Sequence, residues 1–74
     1  MNENEKAELI AEAAKIDTSD VVGMIIDHES GNLDNAATVA LFQSLVNSGL
    51  AWTLQGVYGR AAESLINMGL VSPA

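Results

Sequence analysis

Leu50-Ala51-Trp52-Thr53-Leu54-Gln55-Gly56-Val57-Tyr58-Gly59-Arg60 holds the only Trp, the only Tyr and the only Arg of the chain, with two of its six Gly. Two near-copies of one phrase flank it, offset by twenty residues: Gln43-Ser44-Leu45-Val46-Asn47-Ser48-Gly49-Leu50 and Glu63-Ser64-Leu65-Ile66-Asn67-Met68-Gly69-Leu70. Each copy reads as the end of a helix. Gly49 and Gly69 supply the left-handed residue just past the cap. Leu45 and Leu65 stand four residues before the Gly, and Leu50 and Leu70 one after it, the spacing of a Schellman end with its hydrophobic contact. Two helices are punctuated in the same way, and the aromatic stretch is the corner between them.

Outward from that corner, the rest of the chain also reads as helix. Residues 3–16 form an amphipathic pattern capped by Asn2, with Leu9, Ile10, Ala13, Ala14 and Ile16 on one side. Asp17-Thr18-Ser19-Asp20 is a turn rich in capping side chains. Residues 21–26 are β-branched enough for a strand, but no second run alternates at period two to pair with them. Helix is therefore favoured, with Val22, Ile25 and Ile26 inward, ending near Glu29 before Ser30-Gly31-Asn32. Asp34 caps the strongest helix, whose stripe of Val39, Leu41, Phe42, Leu45 and Val46 faces a core, with Gln43, Ser44 and Asn47 opposite. Ala51–Gln55 has room for one or two turns. The last helix starts at Val57 or Tyr58, turns Ala61, Ala62, Leu65 and Ile66 inward, and ends at Gly69. The expected fold is all-α: a small orthogonal bundle of three main helices plus a short corner helix. It spans residues 1–74 as a single domain, with residues 1–3 and 71–74 frayed.

Composition narrows function by exclusion. A chain of 74 residues makes at most one domain of marginal stability. It has no Cys, so disulfides and thiolate metal sites are out. Its apolar share of 49% exceeds what so small a core needs, which makes self-association reasonable. No apolar run approaches the roughly 20 residues of a membrane span, and the acidic start is unlike a signal peptide. A soluble, cytoplasmic protein is expected. The net charge of −7 falls in residues 1–34; residues 35–74 carry only Arg60 and Glu63. Such a chain repels nucleic acid and membrane surfaces and suits a basic partner.

The constellations that carry chemistry are weak. Counted from Asp27, Gly31 and Thr38 miss the glycine and glutamate places of a calcium loop. His28 has no second His or Cys to complete a zinc site. No serine stands in a nucleophile elbow with a base, and Gly56-x-x-Gly59 lacks the lysine of a phosphate loop. No catalytic residue, metal or cofactor is assigned. Residues 35–48 and 57–68 could pair as a helix-turn-helix. The recognition helix would then offer DNA only Arg60, Ser64 and Asn67 around Glu63, too few cations for phosphate. Arg60 faces the positive end of its helix dipole. It needs a carboxylate, either Glu29 or Asp34 within the chain, or a partner's group. Gln55 suggests a side-chain bond to the corner backbone. Trp52, Gln55, Tyr58 and Arg60 are the candidate partner-binding residues.

The motifs Leu41-Phe42-Gln43, Gly49-Leu50-Ala51-Trp52, Leu54-Gln55-Gly56, Tyr58-Gly59-Arg60, Leu65-Ile66 and Gly69-Leu70 resemble those of a family of short, uncharacterised bacteriophage proteins. Glu29-Ser30-Gly31-Asn32-Leu33 extends the likeness. The chain departs from that pattern at Val57, where the family often has His, and at Asn35-Ala36, where it has acids. The resemblance implies a phage or mobile-element origin and a host cytoplasm; it brings no reaction or cofactor. The expected function is that of a non-catalytic, acidic protein-binding accessory protein, phage-encoded, acting on a host factor or on itself, as a homodimer for example. The alternatives are a small helix-turn-helix regulator and a phage structural or packaging component.

Overall fold

The computed structural model describes residues 1–74 and contains helices and no strand. The helices are α1 (Glu3–Ala14), α2 (Val21–Glu29), α3 (Asn35–Ser48) and α4 (Gly56–Asn67), with a 3-10 turn at Leu50–Trp52 between α3 and α4. The small helical bundle expected from the sequence is therefore present. It has four α-helices where three main ones were counted; the β-branched segment 21–29, for which helix was favoured over strand, is a full helix stopped at both ends. Asp20 Oδ1 accepts the Gly23 N–H at 3.0 Å at its start. At its end Gly31, at φ 76°, lets Gly31 N–H reach the His28 carbonyl at 3.1 Å and Asn32 N–H reach that of Asp27 at 2.8 Å. These are the two bonds of a Schellman end.

The two repeated phrases close differently. At Gly69 both Schellman bonds form, Gly69 N–H to Ile66 and Leu70 N–H to Leu65, each 3.0 Å, and Leu70 is buried. At Gly49 only the bond to Val46 forms; Leu50 N–H turns instead to Ser48 Oγ, and the chain runs on into the 3-10 turn. Leu50 is consequently 42% exposed. The hydrophobic contact expected of the first copy gives way to the needs of the corner, whose backbone bonds back to the Leu50 carbonyl through Thr53 and Leu54 N–H.

The core is built on α3. Phe42, Leu41, Leu45 and Val46 are fully buried, joined by Val39, Ala40, Ala51, Tyr58 and Ala62. Asp34 caps α3 as expected, Oδ1 accepting from Ala37 N–H at 2.8 Å. α1 packs on one side of α3, α2 on another, and α4 is held to it mainly through the 3-10 turn. α1 begins at Asn2, whose Oδ1 accepts from Glu5 N–H at 2.8 Å, and stops at Ala14, two residues short of the expected end. Its seat is shallow: Ala13 is buried and Leu9 half-buried, while Ile10 and Ala14, expected inward, are exposed.

Two further expectations are corrected. Val22 and Ile26 are 69% and 58% exposed; Ile25 packs on the core as expected, with Val21 and Met24 beside it. The helix is turned by about one residue, roughly 100°, which brings His28 inside, onto Phe42. The C-terminal residues do not fray as a unit. Val71 is buried, and Ser72 exchanges two hydrogen bonds with Gln43: its N–H donates to Oε1 at 2.8 Å and its carbonyl accepts from Nε2 at 3.0 Å. Gln43, expected on the polar face, thus clamps the tail to α3.

Candidate functional site

The corner is a built structure with an apolar outer face. Ala51 is buried beneath it. Trp52 lies over α4 at Gly59, where a methyl group would stand 3.7 Å from indole Cε3 and 3.6 Å from the Ala51 carbonyl oxygen. These are ordinary van der Waals contacts, so the seat of the ring does not itself require glycine. The rest of the indole is open, 51% exposed. Leu50, Leu54 and Val57 are also exposed, so four large apolar side chains meet solvent within eight residues. They expose on the order of 300 Å² of apolar surface, about the size of the largest apolar patch on an ordinary monomer.

Arg60 stands at the edge of this face and makes no ion pair; the chain's two pairs are Lys6–Glu3 and Lys15–Glu12. Neither Glu29 nor Asp34 takes it. Its guanidinium folds back over Gly56 at the start of α4, where a methyl group would stand 3.2 Å from Nη1. Gln55 precedes α4 and caps it with its carbonyl, which accepts Tyr58 N–H at 2.9 Å. The side-chain bond expected of Gln55 does not form. The Leu50 carbonyl instead takes the N–H groups of Thr53 and Leu54 and the Thr53 hydroxyl, and Gln55 is left exposed.

Tyr58 is separated from the other three candidates. Its ring is buried and belongs to an aromatic cluster with Phe42, 6.0 Å away and nearly parallel, and His28, 6.1 Å away. His28 meets Phe42 edge-on at 5.4 Å, an arrangement favoured by the ring quadrupoles. The Tyr58 hydroxyl donates to Glu29 Oε2 at 2.5 Å. Burial, the bond to Glu29 and the nearby carboxylate charge together push the phenol up to about 12. Tyr58 thereby ties α4 to the end of α2, one of the two roles open to Arg60 from the sequence. The sequence reading missed His28 and the Glu29 bond. Val21, Ile25 and His28 share one face of α2, but the apolar run Val21–Ile26 offers other faces as well, so no signal in the sequence singled that face out.

A cleft of about 250 Å³ opens where α2 and α4 meet, lined by His28, Glu29, Phe42, Val57, Tyr58 and Ala61. A wider groove of about 560 Å³ lies between α1 and α3, with Ile10, Val39 and Leu70 among its apolar lining and Gln43, Ser44 and Asn47 as its polar edge. No charged side chain lines it. No three His, Cys, Asp or Glu side chains come together in a group that could hold a metal ion. No helix is long and apolar enough to cross a membrane.

No curated protein and no solved structure matches the chain. Residues 14–74, which take in α2, α3, the aromatic corner and α4 but leave out nearly all of α1, match a family described as a domain of unknown function (DUF7417), and the chain belongs to that family.

Proposed function

We propose that this chain is a non-catalytic accessory protein, encoded by a bacteriophage and working in the host cytoplasm, that acts by binding another protein through the Trp52 corner. The partner is a host factor or a second copy of the chain. One observation carries the reading. Leu50, Trp52, Leu54 and Val57 are held at the surface by a hydrogen-bonded corner, in a protein otherwise kept soluble by acids. Ordered apolar side chains of this size, with tryptophan at the centre and an unpaired arginine at the rim, have the composition of an interface hot spot. Arg60, free of internal pairing, is available to a partner's carboxylate.

Sedimentation equilibrium of the protein alone, followed by crosslinking in host lysate with the partner identified by mass, tests this. The control is Trp52→Ala, which removes a half-exposed ring. The variant should stay folded, with a lower melting temperature because the covered half of the ring is lost, and should lose the association. A monomer with no crosslinked partner, or a Trp52→Ala variant that associates as before, removes the proposal. The second reading, a helix-turn-helix regulator, draws support from α3 and α4 meeting at a short turn with Arg60, Ser64 and Asn67 exposed on α4. Glu63 and the net charge of −7 oppose it. Retardation of DNA at low salt would favour it.

A further inference from the structure

The cleft between α2 and α4 has a chemistry of its own. Its floor is aromatic: Phe42 and Tyr58 are only 1% and 6% exposed. Its wall is His28 and Ala61, and Val57 and Glu29 stand exposed at its mouth. Glu29 is the one carboxylate in the lining, and no Lys or Arg of the chain pairs with it. One of its oxygens, Oε2, accepts the Tyr58 hydroxyl; the other is unoccupied by any protein donor. A carboxylate at the mouth of an aromatic and aliphatic cleft suits a cation carried on a hydrocarbon stem. The stem lies against Val57, Ala61 and the ring edges, and the head group meets the free oxygen. The net charge of −7 draws such a group in from a distance.

We propose that the α2–α4 cleft seats a lysine side chain presented by a partner protein, with its ammonium on Glu29 Oε1. Lysine fits better than arginine. A guanidinium is best met by both oxygens of one carboxylate, and here Tyr58 already holds one of them. An ammonium is a point charge that one oxygen can serve. The stem and head group, five heavy atoms, need on the order of 100–150 Å³ at liquid-like volume per atom, and the cleft offers about 250 Å³. Val57 belongs both to this cleft and to the exposed face of the corner, so the lysine would sit beside the Trp52 contact. The assignment rests on the protein-binding reading above and adds to it the chemistry of the partner.

The test uses the full chain and three small probes: n-butylammonium, n-butylguanidinium and n-butanol. The ring resonances of His28 and Tyr58 are followed by NMR. Butylammonium should shift them saturably in the millimolar range and bind about tenfold more tightly than butanol. Glu29→Gln keeps an acceptor for the Tyr58 hydroxyl and removes the charge. It should weaken butylammonium about tenfold and leave butanol and the melting temperature unchanged. Equal binding of ammonium and alcohol, no saturable shift, or a Glu29→Gln variant of undiminished affinity overturns the site. Butylguanidinium binding more tightly than butylammonium overturns the choice of lysine. These probes do not depend on association through Trp52. Failure here with Trp52-dependent association intact removes the cleft alone, and the reverse result removes the corner alone.

Discussion

Replacing Gly59 by alanine should raise the melting temperature. Gly59 is the fourth residue of α4, and its φ is not among the positive ones, which belong to Gly31, Gly49 and Gly69. Its special backbone freedom is therefore unused. A helical glycine of this kind costs roughly 0.5–1 kcal/mol relative to alanine, mostly through the larger freedom of the unfolded chain. The added methyl would meet the Ala51 carbonyl oxygen at 3.6 Å and the indole carbons of Trp52 at 3.7 and 4.0 Å, ordinary contacts that displace nothing. In a domain of this size 1 kcal/mol moves the midpoint by about 4–8 °C, so the gain should be roughly 2–8 °C. Thermal unfolding by far-ultraviolet circular dichroism gives the midpoint, and Trp52 fluorescence reports whether the ring keeps its seat. Gly69→Ala is the matching control. There too the space is empty, with nothing within 4 Å, but φ is 79°. The left-handed conformation costs an L-residue about 1–2 kcal/mol, so that midpoint should fall by roughly 4–16 °C. A fall for Gly59→Ala would mean that the indole presses on α4 more tightly than these distances allow, and would refute the account of the corner.

Other outcomes follow from the packing. Tyrosinate absorbance, which reports the single Tyr of the chain, should rise near pH 12 rather than near 10. A folded value above the unfolded one means that this group's stabilisation is full below pH 10 and is lost as pH rises toward 12. Tyr58→Phe should abolish that dependence and cost about 0.5–1.5 kcal/mol in denaturant unfolding, since exposed Glu29 regains water. Leu45→Ala, in the centre of the core, should cost about 2–5 kcal/mol, whereas Val22→Ala should stay within roughly 0.5 kcal/mol; the opposite order would restore the rotation of α2 expected from sequence. Arg60→Ala should leave the melting temperature unchanged or slightly higher, because the side chain has no internal partner and faces a helix N-terminus; a clear loss would mean a pairing that the folded chain does not display.

The local grammar of this protein is written in its residues. Asn2, Asp34 and the glycines at 49 and 69 mark helix ends because their effects act within a few bonds: a carboxylate or amide oxygen reaches a free N–H three residues on, and glycine tolerates positive φ. The α3 stripe was readable for the same reason, its five apolar residues repeating at the helical period. The charge imbalance, the absence of Cys and the lack of any span-length apolar run were also plain from composition alone. The candidate site was half legible. Trp52 and Arg60 stood out as the only residues of their kind, but whether each faced the core, the chain or the solvent did not.

Those facings were decided by tertiary contact. The first six residues of α2, Val21–Ile26, are all apolar or Gly, so periodicity there could not choose a face; the room beside Phe42 and Tyr58 chose it, admitting His28 and expelling Val22 and Ile26. Two copies of one phrase ended differently because Leu70 found the core while Leu50 was committed to the turn that carries Ala51 under Trp52. Glu29 went to Tyr58, and Arg60 was left without an acid. Gln43 became a clamp only because the tail returned beside α3. Capping and glycine geometry depend on neighbours in sequence and could be read there. Which side chain is covered, and by what, depends on residues 14 to 30 places away, and only the folded chain brings those together.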